Sequence, residues 1–286
     1  MATGPGFSNA SGRGVGSDDD AVRLAMARLK SGRAAEAERI AADVLKRKPR
    51  DASAQQVLGC ARLMLGRAAD AIAPLQEAAR ARHDPEIDTQ LAIALRQAGR
   101  NDDALSRLNR AIKRKPPYAM AFHELGFLLN SMGRPDEAID ALKRGLEIAP
   151  MMPELSIQLG NVVLGKNDRA GAKAAFAHAL SIRPNSAEAL SGLATALIQD
   201  GEFAPAAECL RDYLRIQPND SLARLKLGIC LVEIGKAEAG YDCLRTVARS
   251  DPKLRGSVLG SLVKSGHGRF WLKPSDALRF LDGKKS

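Results

Sequence analysis

The side chains able to do chemistry are few here, and they are scattered. The four histidines, His83, His123, His178 and His267, fall far apart along the 286 residues, and the four cysteines, Cys60, Cys209, Cys230 and Cys243, lack metal-ligand spacing. No complete phosphate loop (Gly-x-x-x-x-Gly-Lys-Ser/Thr) occurs, nor does His-Glu-x-x-His or Gly-x-Ser-x-Gly. No pair of carboxylates is placed for acid–base work. The residues point away from catalysis, and no cofactor or metal is expected. The polar groups that do recur are amides: Gln56, Gln90, Gln97, Asn130, Gln158, Asn161 and Gln199. An amide can pair with both the N–H and the C=O of a bound backbone. That is recognition chemistry.

The formal charge of +10 favours acidic partners in general. Its clusters, Lys46-Arg47-Lys48 and Lys113-Arg114-Lys115, each precede a proline. That placement suits cations at a helix C-terminus, where they meet the dipole and the free carbonyls. Aromatic residues make up only 4%, too few for base stacking, so nucleic acid is disfavoured as a partner.

The elements that position these groups follow from a period of about 34 residues. Gly32, Gly66, Gly99, Gly133, Asn167, Gly201 and Gly235 recur in phase. Ala37, Ala71, Ala104, Ala138, Ala172, Ala206 and Gly240 each follow five residues later. Pro49, Pro116, Pro150, Pro184, Pro218 and Pro252 follow twelve residues after that, with His83 the exception. The pattern predicts helix, tight turn, helix. The glycine, or Asn167, ends the first helix in a left-handed conformation. The alanine lets the second helix approach a small residue of the first (Ala25, Gly59, Ala92, Gly126, Gly160, Ala194, Gly228), and the proline stops the second helix. Apolar residues fill the interior, such as Phe122, Leu125, Leu129, Ile139, Leu142 and Leu146 in the fourth unit.

Glycine, alanine and proline recurring together in this way resemble the tetratricopeptide repeat family across residues 18–254. The resemblance implies an all-α, right-handed superhelical solenoid of antiparallel helix pairs, with the first helices lining a concave groove. Seven units result, at 18–51, 52–84, 85–118, 119–152, 153–186, 187–220 and 221–254. The family's aromatic positions are taken by Arg28, Arg62 and Arg224, which predicts leaner packing at the start of the array. Between Gly66 and Gly99 the spacing is one residue short, and a change of pitch is expected at 82–86, with Pro85 restarting the chain.

Family geometry turns the second, fifth, ninth, twelfth and thirteenth residues of each first helix toward the groove. The ninth-position series reads Met26, Cys60, Ile93, Phe127, Asn161, Thr195, Ile229. The candidate groove residues are Gln90, Ile93, Arg96, His123, Phe127, Asn130, Gln158, Asn161 and Thr195. Arg96 is the one cation among them, too little for a clamp on a terminal carboxylate. The lining suits a partner's helix or extended segment. The expectation is a non-catalytic protein-interaction scaffold. An accessory module of a glycosyl- or sulfotransferase complex and a self-assembling homo-oligomer stand as alternatives.

The ends differ from the array. Residues 1–17 form a Gly- and Ser-rich leader, read as disordered and without the apolar core of a signal peptide. Residues 255–286 are read as a capping helix and C-terminal segment, with Phe270, Trp271 and Leu272 folding back as a cap or serving as a docking motif. No stretch is long and apolar enough to span a bilayer. Cys209 and Cys243 share a slot in adjacent second helices but are too far apart to bridge. All four cysteines read as reduced core residues of a cytoplasmic protein.

Overall fold

A computed structural model describes residues 17–264 together with Ser275, Arg279 and Phe280. The leader to residue 16 and the Phe270-Trp271-Leu272 segment lie outside the described residues. The described chain is helical throughout, and consecutive helices pack in pairs. It divides into two compact units, Met1–Ala121 and Phe122–Ser286.

The first unit holds α1 (Asp18–Lys30), α2 (Ala34–Arg47), α3 (Ala52–Met64), α4 (Ala68–Ala81), α5 (Pro85–Gln97) and α6 (Asn101–Ala111). The boundary falls inside α7 (Ala119–Ser131), so the second unit takes α7 from Phe122 onward. It continues with α8 (Pro135–Ile148), α9 (Pro153–Gly165), α10 (Arg169–Ile182), α11 (Ala187–Gln199), α12 (Phe203–Ile216), α13 (Ser221–Glu233) and α14 (Ala237–Ser250). A 3-10 turn, Pro252–Leu254, then leads into α15 (Arg255–Lys264).

Each hairpin turn is made as the period requires. The six turn glycines have φ between 74° and 79°, and Asn167 adopts 64°. The next residue closes the turn by donating its backbone N–H to a carbonyl near the end of the first helix. Arg33 donates to Arg28 at 2.9 Å and Asp168 to Val163 at 3.0 Å. The small residues are where the helices touch. Ala25 and Ala37 are wholly buried, and a methyl group added to Gly126 would collide with Leu142. Polar caps start five of the first helices, Ser17 in a capping box, then Asp51, Asp84, Ser186 and Asp220, whereas α9 starts at Met152 without a side-chain cap.

Two places depart from the regular pattern. The α4–α5 linker is residues 82–84, one shorter than the α2–α3 linker at 48–51, and Pro85 opens α5 behind its Asp84 cap. The period carries the third second helix up to Pro116, but α6 ends at Ala111. The other second helices with a proline in this slot run to two residues before it, and the doublet Pro116-Pro117 holds only Lys115 and Pro116 out of the helical region.

Ion pairs tie helix to helix. In the first hairpin, Arg47 at the end of α2 reaches Asp18 at the start of α1 at 2.6 Å, and Lys48 reaches it at 3.4 Å. Arg183 bonds Glu154 the same way in the fifth, at 2.6 Å. Glu38 of α2 takes both Arg62 and Arg67 from the following hairpin. Arg62 therefore fills its aromatic slot as an ion-pair partner rather than as a void.

Candidate functional site

In the second unit the first helices α7, α9, α11 and α13 repeat the same face every 34 residues, through Phe127, Asn161, Thr195 and Ile229. Phe127, a large apolar side chain, is 42% exposed. Asn161 Nδ2 donates to Glu188 Oε1 of α11 at 3.5 Å. Thr195 Oγ1 donates to the Ser191 carbonyl at 2.9 Å and accepts from Lys226 Nζ of α13 at 3.1 Å. A pocket of about 460 Å³ opens here, walled by Asn161, Leu164, Glu188, Ser191 and Thr195, with Tyr213 and Gln217 of the α12 end at its edge. Tyr213 is fixed by donating its hydroxyl to Asp220 at 2.7 Å, a bond that holds its ionisation above the usual tyrosine range, with burial adding to it.

The pocket thus offers an amide, hydroxyls, a carboxylate and a nearby ammonium in one wall. Such groups can satisfy the alternating N–H and C=O of an extended chain. They include no activated nucleophile. Ser156, buried, shares a 2.8 Å hydrogen bond with His178 Nδ1, but no third group orients that ring among the described residues.

The remaining candidates are distributed as follows. His123 is half-buried, its Nδ1 is 3.4 Å from Glu124 Oε1, and Phe127 and Asn130 follow it, exposed, on the same helix. Gln158 is half-buried on α9. Gln90, Ile93 and Arg96 belong to the first unit, where all three are half-buried on α5. Gln90 is already engaged there, accepting from Gln56 Nε2 at 3.0 Å and donating to Glu86 at 2.9 Å. The structure therefore brings Asn161 and Thr195 into one pocket and leaves the Gln90 amide in a side-chain ladder.

Glu188 and Lys226 lie outside the amides and apolar stripes that mark the groove in the sequence. Glu188 holds the second position of α11, a slot that the groove geometry already marks. Tyr213 could not be found that way, since it sits on a second helix. At the C-terminal end, Phe280 packs edge-on against Tyr241, with ring centres 5.0 Å apart, and the Arg245 guanidinium lies 4.2 Å over its ring. Phe280 thus covers part of the α14 face, and the Phe270-Trp271-Leu272 segment lies outside the described residues.

The cysteines are all free thiols. Burial pushes the Cys60 thiol up to about 12, helped by Glu86, and burial likewise raises Cys230 to about 11. Neither is a nucleophile near neutral pH. The run Gly160 to Lys166, which has the outline of a phosphate loop, is the end of α9 and its cap, with Asn167 where a hydroxyl would be needed. Among the described residues no cluster of three or more His, Cys, Asp or Glu could hold a metal ion. No described helix is long and apolar enough to cross a membrane.

Helical hairpins, each closed by a left-handed turn and packed on small residues, define the class of helical-repeat proteins. This chain belongs to the tetratricopeptide repeat family, whose patterns match residues 22–85, 89–153 and 163–224. Solved structures agree on the fold. The pilF protein of Pseudomonas aeruginosa is 16% identical with a TM-score of 0.63, over 73% of this chain and 94% of that one. Cut9–Hcn1 of the APC/C is 18% identical with a TM-score of 0.65, over 85% of this chain and 48% of that one. A thermophilic TPR protein of Thermus thermophilus is 24% identical with a TM-score of 0.55, over 64% of this chain and all of its own (100%). Comparison with curated proteins gives no match.

Proposed function

We propose that this protein is a non-catalytic scaffold that holds an extended segment of a partner protein along the first helices of its second unit. The observation that carries the reading is the pocket of Asn161, Glu188, Ser191 and Thr195, one helix away from the exposed ring of Phe127. The polar wall pairs with the partner's backbone, and Phe127 takes an apolar side chain of the same segment. His123, Asn130 and Gln158 extend the contact. Membership of a family that commonly mediates protein–protein interaction supports this assignment.

The division into a leader (1–17), seven repeats (18–254) and a C-terminal segment (255–286) belongs to the same proposal. So does a reducing, cytoplasmic setting, supported by the four free thiols. The basic clusters support no separate nucleic-acid role, because Arg47, Lys48 and Arg114 are engaged with Asp18 and Asp88.

The test is affinity capture from native lysate with the wild type and with Phe127→Ala/Asn161→Ala. Both side chains are exposed, so helicity by circular dichroism should be retained. The expected outcome is loss of the captured partner, equivalent to about tenfold or more in affinity. Equal capture by the folded double variant would sink the groove assignment.

A further inference from the structure

The first unit carries a charge arrangement that the groove does not use. Asp88 of α5 is 1% exposed and is met by three arginines from one face of α6 and its end, Arg107, Arg110 and Arg114. Only Arg114 hydrogen-bonds it, through Nε to Oδ2 at 2.9 Å. Arg107 and Arg110 stand at 3.7 Å and 3.3 Å, within ion-pair range, and direct their N–H groups to no hydrogen-bond acceptor among the described residues. Both line a recess of about 280 Å³ between α4 and α6, together with Arg100, Asp103, Ser106 and Gln76. Arg100 is paired with Asp103 at 2.6 Å.

Four guanidinium groups thus surround two carboxylates, leaving a surplus of two positive charges. Guanidinium forks with unfilled donors at a recess make an oxyanion receptor. Ser106 adds a neutral donor from α6 and Gln76 another from the α4 wall, so acceptors are wanted in more than one plane. A planar carboxylate would fill one fork. A tetrahedral dianion, with three terminal oxygens and about two negative charges, matches both the surplus and the spread of donors.

We propose that this recess is a binding site for a phosphate monoester, as carried by a phosphoserine or phosphothreonine side chain or by a small phosphorylated metabolite. The apolar wall residue, Leu95, is itself buried, so the rim offers no apolar surface to a bilayer. The site lies wholly in the first unit and the proposed groove in the second, so either can fail without the other.

The test titrates the full-length protein with a phosphoserine peptide, its unphosphorylated and glutamate counterparts, inorganic phosphate, and vesicles containing phosphatidic acid. The phosphoserine peptide should bind at least about tenfold more tightly than the glutamate peptide, as expected for one lost charge-assisted hydrogen bond. Binding should weaken with salt. Tighter binding of inorganic phosphate than of the peptide would assign the site to small phosphates. Ser106→Glu places a carboxylate in the recess at an exposed helical position where the fold tolerates it, and should abolish binding. Arg107→Gln/Arg110→Gln should do the same while Arg114 still pairs Asp88. Arg215→Gln in α12 is the control and should bind as the wild type does. The proposal is overturned by no binding of the wild type to any phosphate monoester at physiological salt, by binding to vesicles alone, or by unchanged binding in Ser106→Glu.

Discussion

Asp88 is the residue on which the arginines of α6 and its end converge. A carboxylate buried in a first helix is stabilised only because α6 brings guanidinium groups to it from one face. Asp88→Asn should leave three arginines repelling one another and lower stability by about 3 kcal/mol, the low end for a broken buried pair because the arginines keep part of their hydration. Urea unfolding followed by circular dichroism checks this, and a change below about 0.5 kcal/mol would mean that the arginines do not depend on Asp88. Its role was not legible from the sequence. Nothing in Pro85 to Gln97 marks one acid as buried, and the spacing of Arg107, Arg110 and Arg114 acquires meaning only when α6 lies against α5. Asn161 and Thr195 were legible, because a slot that repeats every 34 residues on a regular hairpin must return to one face. Gln90 shows the limit of that logic. A neighbour of its own kind, Gln56, one hairpin earlier, takes its oxygen.

Among the elements, the hairpin is the unit of construction, and in the last one the backbones themselves come close. Where other hairpins place alanine in the second helix, α14 has Gly240. A Cβ there would lie 2.8 Å from the Gly228 carbonyl oxygen and 3.0 Å from the Val232 nitrogen. These are backbone atoms and cannot turn aside. Gly240→Ala should therefore force α13 and α14 apart and destabilise by about 2 kcal/mol, although it restores the consensus residue and improves helix propensity. Thermal unfolding distinguishes the two effects: a raised midpoint would show that propensity outweighs the clash. The sequence revealed the slot but not its direction of tolerance, since α13 and α14 pack closer than an alanine allows. It also revealed the turns, because only glycine or asparagine sits comfortably at positive φ.

Over the whole molecule, stability should depend on acidity through carboxylates that bridge helices. The hydrogen bond from Arg47 holds Asp18 below the usual carboxylate range against some desolvation, and Lys173 does the same for Asp200. Burial pushes Glu38 up, but Arg62 and Arg67 outweigh it and the net shift is down. Groups depressed in the folded state contribute stability that is complete above their unfolded values, roughly pH 4, and is lost as pH falls through the folded ones. The unfolding midpoint should be flat from about pH 8 to 5 and fall below about 4, whereas a rise on acidification would contradict these pairings. The bridges themselves have a further consequence. Among the described residues the side-chain hydrogen bonds reach no farther than 34 residues along the sequence, the span from Gln56 to Gln90, and those that join different helices mostly span 24 to 31. Few distant segments must find one another before native interactions begin to compensate the lost chain entropy, so the search is short and each hairpin can grow from its neighbour. A chain of this length built so locally should acquire its structure quickly, and it can lose an end without losing its middle.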